Sequence, residues 1–170
     1  MKKKVLIVSA TSATNFRLSN TLKKLLINLD IHTEVINIED FDLPLFVASD
    51  YVQLKDKHFE SIRLLTDKFT GSSGIIICAP EYNGSIPPII TNMIAWISVS
   101  TDDWRFAFAD KISLIASCSG GLGNKYVTAM KNQLEHLGSV VMPRSINTSS
   151  SIPLDLKSVK KILKQFIKLL

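Results

Sequence analysis

Cysteine and histidine are scarce in this 170-residue sequence, which contains two cysteines and three histidines. Cys78 and Cys118 are too few for a disulfide framework, and no Cys-x-x-Cys pair is present. Both lie near the ends of apolar runs, where a cysteine behaves as a small hydrophobic residue. The histidines are far apart, with no cysteine or carboxylate at ligand spacing. The sequence therefore predicts no metal site.

Long apolar runs are also absent, and none approaches the roughly 18 residues that a membrane-spanning helix requires. The first ten residues, MKKKVLIVSA, have a basic tip, but their apolar part is shorter than the core of a signal peptide. Hydrophobic residues make up 46% and charged residues 21%, which is typical of a soluble globular protein. We expect a cytoplasmic protein without a membrane partner.

The net charge of +5 comes with no sign of nucleic-acid recognition. Lysines cluster at positions 2–4 and on a predicted C-terminal helix, but without a groove-reading motif or exposed aromatic residues among them. We interpret them as a solubilising surface and predict no nucleic-acid partner. A positive surface also attracts anionic substrates and phosphorylated cofactors.

Three familiar phosphate-binding signatures are missing. The P-loop pattern G-x-x-x-x-G-K-[ST] does not occur, and a G-x-G-x-x-G turn after the first strand is excluded because the first glycine is Gly71. A cysteine-based phosphatase would carry an arginine six residues after Cys118, but that position is Asn124. A phosphate site in this chain must therefore be built differently.

The apolar pattern alternates between short β-rich runs and helical spacing. Strands are predicted within residues 3–10, 32–38, 74–79, 111–118 and 139–143, and helices within 18–29, 59–69, 90–97, 127–137 and 156–170. We expect Pro88 in the first turn of the third helix, Gly138 just after the fourth and Asp155 as the N-cap of the last. The alternation predicts a single α/β domain, residues 1–170, with a five-stranded parallel sheet in the flavodoxin-like order 2-1-3-4-5 and helices on both faces.

In such a sheet, ligands bind at the carboxyl ends of the strands. After the first strand, SATSATNFRLSNT (residues 9–21) combines many small polar side chains with Arg17. Small hydroxyls and the N–H groups of a helix start suit a phosphate. Ordinary helix capping is the alternative interpretation, but it needs only one such residue. We therefore favour a phosphomonoester site.

Two further loops follow strands three and four. SGGLGN (residues 119–124) would let a flat ligand lie against bare backbone amides, although a tight strand-to-helix turn is the alternative. APEYNGSIPP (residues 79–88) contains three prolines around a Glu-Tyr-Asn triplet, which makes it stiff and polar.

The segment APEYNGSIPPIITNMIAWIS (residues 79–98) closely resembles the P-E-Y-N-x-S-x-P-x-x-x-K-N-x-x-D-W motif of the NAD(P)H-dependent FMN reductase family, which includes quinone, chromate and azo-dye reductases. The residues in register are Pro80, Glu81, Tyr82, Asn83, Ser85, Pro87, Asn92 and Trp96. Thr91 and Ala95 replace the usual Lys and Asp, and the first loop resembles the family's G-S-x-R-x-x-S-x-N loop less closely. The resemblance covers essentially the whole chain.

The resemblance implies an enzyme that binds FMN and takes hydride from NADPH or NADH. The implied FMN-binding residues are Thr11, Arg17, Ser19 and Asn20 at the phosphate, and Pro80, Glu81, Tyr82, Asn83, Gly84, Ser119, Gly120 and Gly121 at the ring. The implied acceptor is a small molecule such as a quinone, free flavin, azo compound or metal oxyanion. Because the cofactor carries the chemistry, we predict no catalytic side chain, and we expect Glu81 to anchor its loop or line the pocket.

Two other functions stay open at this point. SATSAT resembles the T-x-T-G-x-T loop of flavodoxins, which are electron carriers without a nicotinamide reaction, but such carriers tend to be acidic and this chain is basic. A relative that has lost its flavin and serves as a regulatory protein is the other alternative.

An aromatic segment predicts a homodimer or homotetramer. Residues 102–110, DDWRFAFAD, place Trp104, Phe106 and Phe108 in a connection between a helix and a strand. Large rings are costly to leave wet, and aromatics are enriched in interface cores. We expect part of this segment and the outer face of helix 90–97 to contact a partner chain. The alternative is that the segment covers its own domain.

Overall fold

The computed structural model describes residues 3–170, so Met1 and Lys2 of the predicted 1–170 domain lie outside the described residues. The strands in this part of the chain are β1 (Lys4–Ser9), β2 (His32–Asn37), β3 (Gly74–Cys78), β4 (Ile112–Ser119), β5 (Val140–Val141) and β6 (Ile146–Ser149). The helices are α1 (Thr14–Ile27), α2 (Tyr51–Lys57), α3 (Phe59–Thr70), α4 (Pro88–Ser98), α5 (Asn124–His136) and α6 (Leu156–Leu169). A 3-10 turn, Ile38–Asp40, follows β2. No helix among residues 3–170 has the length and apolarity to cross a membrane.

The strands form one parallel sheet in the order β2-β1-β3-β4-β5, which confirms the predicted flavodoxin-like order. The fifth position is divided between two strands. β5 pairs with the start of β4, and β6 pairs with its end, at Ala116–Ser119. The ladder is interrupted after Met142, which still donates to the Ser113 carbonyl at 2.8 Å. Pro143 comes next and has no N–H to continue the pairing.

Helices cover both faces of the sheet, as predicted. Leu6, Val8 and Ile77 face a core shared with α3, α4 and α5. Val5 and Ile7 alternate with them and face a second core shared with α1 and α6. Strands buried on both faces read as continuous apolar runs, which is why β1 and β3 were identifiable in the sequence.

Three predicted helix ends, marked by Pro88, Gly138 and Asp155, are confirmed. Pro88 is the first residue of α4, and the Asp155 carboxylate accepts hydrogen bonds from the N–H groups of Lys157 and Ser158 at the start of α6. Gly138, with φ of +83°, follows the C-cap of α5. Its N–H donates to the Glu135 carbonyl at 3.0 Å, part of a Schellman ending.

The segment between β2 and α3 contains a helix that the sequence analysis missed. Helix α2 has no buried residue, so it carries no apolar periodicity to reveal it. The segment before it is held over α4 by two residues of the recognised motif. The Trp96 indole donates to the Pro44 carbonyl at 2.7 Å, and the Asn92 side chain donates to the same carbonyl at 3.0 Å and accepts from the Phe46 N–H at 2.8 Å.

Part of the surface of α4 that was expected to contact a partner chain is occupied by the same chain. Residues 44–46 contact the helix at Asn92 and Trp96, whereas Pro88 and Thr91 are exposed. Phe108 is also buried in its own domain, with its ring centroid 5.4 Å from that of Phe69. Trp104 and Phe106 are 44% and 62% exposed. The aromatic segment therefore serves its own core at one position and leaves two rings on the surface.

Candidate functional site

The carboxyl ends of the central strands open into a cavity of about 910 Å³. Its lining comes from residues 11–15 after β1, 80–82 after β3, 118–120 at the end of β4 and 148–150 at the end of β6. A second cavity of about 400 Å³ adjoins it and continues over residues 119–125. The three loops singled out in the sequence thus meet at one site, at the position where parallel α/β sheets bind ligands.

The start of α1 forms one end of the main cavity. Its N-cap is Ala13, which has no polar side chain, and no side chain caps the helix. Ordinary capping, the alternative interpretation of this polar loop, is therefore wrong for α1. The N–H groups of the first turn and the positive end of the helix dipole are available to an anion there. Thr14 and Asn15 of this turn line the cavity.

Thr11 and Arg17, two of the residues predicted at the phosphate, also line the cavity. Among residues 3–170, no carboxylate forms an ion pair with Arg17. Its charge is therefore not neutralised by an ion pair within the described residues.

Ser19 and Asn20 do not line the cavity, contrary to the prediction. Ser19 is buried and its hydroxyl donates to the Asn15 carbonyl at 2.9 Å, while the Asn20 side chain donates to the Phe16 carbonyl at 2.9 Å. The reason is helical geometry. The face of α1 that meets the cavity carries Thr14, Asn15, Arg17, Leu18 and Thr21. Ser19 and Asn20 point away from this face.

Asn15 connects two of the three loops and was not predicted as a site residue. Its side chain is 1% exposed, donates to the Cys118 carbonyl at 2.9 Å and accepts from the Cys118 N–H at 2.9 Å. Both backbone groups at the end of β4 are thereby satisfied by one amide. This pair fixes the start of α1 relative to the glycine loop.

The proline-containing loop contributes three lining residues and a turn. Pro80, Glu81 and Tyr82 line the main cavity, and Tyr82 is 50% exposed at its mouth. Asn83 and Gly84, with φ of 51° and 70°, do not line it. They form a tight turn that is closed by the Ser85 N–H donating to the Tyr82 carbonyl at 2.9 Å. Their role in this structure is to shape the loop that presents Tyr82.

Glu81 anchors this loop to the glycine loop, as expected. Its carboxylate accepts hydrogen bonds from the N–H groups of Lys125 and Tyr126 at 3.0 and 3.3 Å, so it caps the start of α5. Its own N–H donates to the Ser119 hydroxyl at 2.8 Å, and that hydroxyl lies 2.8 Å from the hydroxyl of Ser117. A carboxylate that accepts hydrogen bonds from two helix amides stabilises the loop and the helix start, and it is poorly placed to act as an acid.

The glycine loop has bare backbone where the two cavities join. A Cβ added to Gly120 or Gly121 would meet no atom within 4 Å, and neither residue has a positive φ. The fold therefore does not require glycine at these two positions. Gly123 differs, because it has φ of +65° and an added Cβ would lie 2.6 Å from the Ser117 hydroxyl oxygen. Gly123 is therefore needed for a tight strand-to-helix turn, whereas Gly120 and Gly121 border open space that a ligand can occupy.

Two parts of the lining were not identified from the sequence. Glu39, in the 3-10 turn, accepts a hydrogen bond from the Ser12 N–H at 2.7 Å. Residues 148–150 close another side of the cavity. Residues 149–151 are three consecutive serines, but β6 was not predicted, so nothing indicated that these serines come at the end of a strand.

The two cysteines have different surroundings. Burial raises the pKa of the Cys78 thiol to about 12, so this cysteine is protonated and inert at neutral pH. Cys118 lines the main cavity. Burial likewise raises the pKa of Tyr126, whose hydroxyl donates to the Ile77 carbonyl at 3.2 Å inside the core.

The residues at this site fit FMN. An uncapped helix start with Arg17 matches the phosphate, and bare backbone at Gly120 and Gly121 matches a planar ring system. Tyr82 adds an aromatic face at the mouth, and the volume of about 910 Å³ is in the range of cofactor sites.

Comparisons with known proteins bear on the fold and on the family of this chain. The curated NADH:(hydroxy)cinnamate reductase subunit CrdA of Vibrio ruber is 32% identical over 108 residues, which are 61% of this chain and 50% of that protein, so this chain spans about half of its relative's length. The flavoenzyme NAD(P)H:(acceptor) oxidoreductase FerB of Paracoccus denitrificans has a similar structure, with a TM-score of 0.79 and 22% identity over 98% of this chain and 96% of that one. An archaeal flavodoxin superposes with a TM-score of 0.65 and 13% identity over 98% and 95% of the two chains.

At these identities, the two solved structures establish the fold alone. The family is established by the sequence, since residues 3–152 match the NADPH-dependent FMN reductase family. This chain is a member of the NADPH-dependent FMN reductase family.

Proposed function

We propose that this chain binds one FMN and works as an NAD(P)H-dependent reductase that passes electrons to a small acceptor. The observation that carries the proposal is the pairing of two ligand-ready features across one cavity. One is the uncapped start of α1, and the other is the bare backbone of Gly120 and Gly121. Neither feature is needed by the fold. When bound, FMN supplies the redox chemistry, accepting hydride from NADPH or NADH and passing electrons on.

At the phosphate end, the chain's part is electrostatic. The first-turn N–H groups of α1 would hold the phosphate, and Arg17 would add a charge-assisted contact from the next turn. Thr11 and Thr14 line the same end and supply hydroxyls. Asn15 holds this end at a fixed distance from the ring end through its two hydrogen bonds to Cys118.

At the ring end, the chain's part is rigidity. Pro80 is buried, and Glu81 joins its loop to α5 and to Ser119 through the hydrogen bonds described above. A loop held in this way keeps its amides in position whether the ring is oxidised or reduced, which avoids reorganisation during turnover. No lining side chain is required as an acid or base in this proposal.

The acceptor is proposed only by class. A quinone, free flavin, azo compound or metal oxyanion suits an open cavity mouth. These acceptors form the panel to be tested, and hydroxycinnamates are added to it because of the name of the relative from Vibrio ruber.

We also propose a homodimer, with the exposed rings of Trp104 and Phe106 as part of its interface. Light scattering at micromolar concentration tests it, and a fully active monomer would contradict it.

Steady-state turnover tests the proposed function. The purified protein, loaded with FMN, is mixed with NADPH or NADH and each acceptor of the panel. We expect oxidation of at least one nicotinamide that depends on both FMN and acceptor. A protein that binds FMN but oxidises neither nicotinamide is the flavodoxin-type carrier instead. A protein that binds no FMN is the flavin-less relative.

A further inference from the structure

Glu39 places a carboxylate at the phosphate end of the cavity. β2 lies beside β1, with Asn37 in register with Ser9, so the chain after β2 meets the chain after β1. The Asn37 side chain accepts the Glu39 N–H at 3.4 Å and starts the 3-10 turn. From this turn, the Glu39 carboxylate reaches the Ser12 N–H at 2.7 Å, and both residues line the cavity.

This carboxylate is an anion beside the loop that we assign to the phosphate. Within residues 3–170, no Lys, Arg or His forms an ion pair with Glu39. Its hydrogen bonds from the side chain and backbone of Ser12 lower the pKa of the Glu39 carboxyl, so it is ionised at neutral pH. The loop therefore presents one of its N–H groups to the chain's own negative charge.

We propose that Glu39 is a specificity-determining residue, an internal anion that competes with the ligand phosphate for the Ser12 N–H and weakens binding of phosphorylated flavins relative to riboflavin. This inference rests on the proposed function, because it takes the 11–17 segment as the phosphate site. A phosphate carries a charge of about −1.5 to −2 at pH 7, so it is repelled by the neighbouring carboxylate. To reach Ser12 it must also displace a charge-assisted hydrogen bond. Riboflavin has no phosphate and meets neither obstacle.

The size of the effect follows from exposure. Glu39 is an exposed residue, so solvent screens its repulsion of the phosphate. Removing the charge from this one hydrogen bond is therefore expected to change the free energy of phosphate binding by an amount at the lower end of the values for charged hydrogen bonds. We expect the ratio of FMN affinity to riboflavin affinity to rise about tenfold when the charge is removed, which corresponds to about 1.4 kcal/mol.

The test compares Glu39→Gln with Asp40→Asn in the flavin-free protein. Glutamine keeps the size and an acceptor oxygen but removes the charge. Asp40 is the neighbouring exposed carboxylate, and it does not line the cavity, so its variant removes the same charge one position away. Dissociation constants for FMN and riboflavin are measured by fluorescence titration. We expect tighter FMN binding and unchanged riboflavin binding for Glu39→Gln, with both ligands within about twofold for Asp40→Asn.

Two results would overturn the inference. If Glu39→Gln weakens FMN binding, Glu39 organises the loop for the phosphate rather than competing with it. If Glu39→Gln changes the FMN and riboflavin dissociation constants equally, or gives the same values as Asp40→Asn, the charge of Glu39 does not act on the phosphate.

A second measurement needs no flavin and separates this inference from the proposed function. The Ser12 amide signal is followed by NMR during titration with inorganic phosphate. Glu39→Gln is expected to reach half-saturation at about tenfold lower phosphate than the wild-type protein. Wild-type protein that binds neither flavin refutes the proposed function, and equal phosphate titrations of the two proteins refute the role of Glu39.

Discussion

Replacing Gly120 with alanine is expected to affect flavin binding without affecting folding. The space beside this residue is empty of protein atoms, since an added Cβ meets none within 4 Å, and the backbone does not have a positive φ. Gly120 lies where the main cavity and its neighbour meet, so the added methyl group enters the space assigned to the flavin ring.

Gly120→Ala is expected to raise the stability of the flavin-free protein and to lower its affinity for FMN. A glycine-to-alanine change at a compatible backbone position stabilises a protein by about 0.4–1 kcal/mol, because the unfolded chain loses freedom. For a domain of this size, that raises the Tm of the flavin-free protein by about 1–4 °C. A ring that packs on bare backbone must shift to avoid the methyl group, and we expect FMN affinity to fall by about tenfold or more.

Two assays on one sample decide the question. Thermal unfolding of flavin-free protein measures stability, and fluorescence titration measures FMN affinity. Gly123→Ala is the matched control, since its φ of +65° and a contact of 2.6 Å to the Ser117 hydroxyl oxygen predict loss of stability instead. A Gly120→Ala protein that binds FMN as tightly as the wild-type protein would refute the assignment of this loop to the ring.

Three further changes test other parts of the site. Arg17→Ala should weaken FMN binding by roughly ten- to a hundredfold and leave riboflavin unchanged, since a charge-assisted contact is worth about 1.5–3 kcal/mol; equal FMN affinity would show that the backbone and hydroxyls bind the phosphate alone. Asn15→Ala should destabilise the protein by about 2–4 kcal/mol in urea unfolding, because it leaves two groups of Cys118 without partners; a loss below about 0.5 kcal/mol would contradict this. Iodoacetamide at pH 8 should modify Cys118 and not Cys78, whose thiol has a pKa of about 12 and is buried, and FMN should protect Cys118; labelling of Cys118 at the same rate with saturating FMN would place the flavin elsewhere.

The features that sequence predicted well are those with a periodic or positional signal. β1, β3 and β4 bury both faces and appear as apolar runs, and the strict alternation with helices leaves few sheet orders. Gly138 and Asp155 were predicted because helix ends need particular residue types. Helix α2 and strand β6 were missed, since α2 buries no residue and β6, with the sequence INTS, has a single apolar residue.

At the site, sequence identified the loops but not the pairings between them. Ser19 and Asn20 belong to a polar run that continues into α1, and only the helical rotation removes them from the cavity. Asn15 acts on Cys118, 103 residues away, and Glu39 acts on Ser12, 27 residues away. The predicted sheet order brings these strand ends together, but which side chains then pair depends on the conformation of the loops. A composition or a motif does not contain that information.

Anaerobic mixing of the FMN-loaded protein with NADPH or NADH tests the central claim most directly. The visible absorbance of the flavin is followed in a single turnover without acceptor, and an acceptor from the panel is then added. The account predicts that at least one nicotinamide bleaches one flavin per chain at a rate fast enough to support turnover, and that the acceptor restores the colour. A bound flavin that stays oxidised with both nicotinamides, yet is reduced by a chemical reductant, would contradict it and identify an electron carrier.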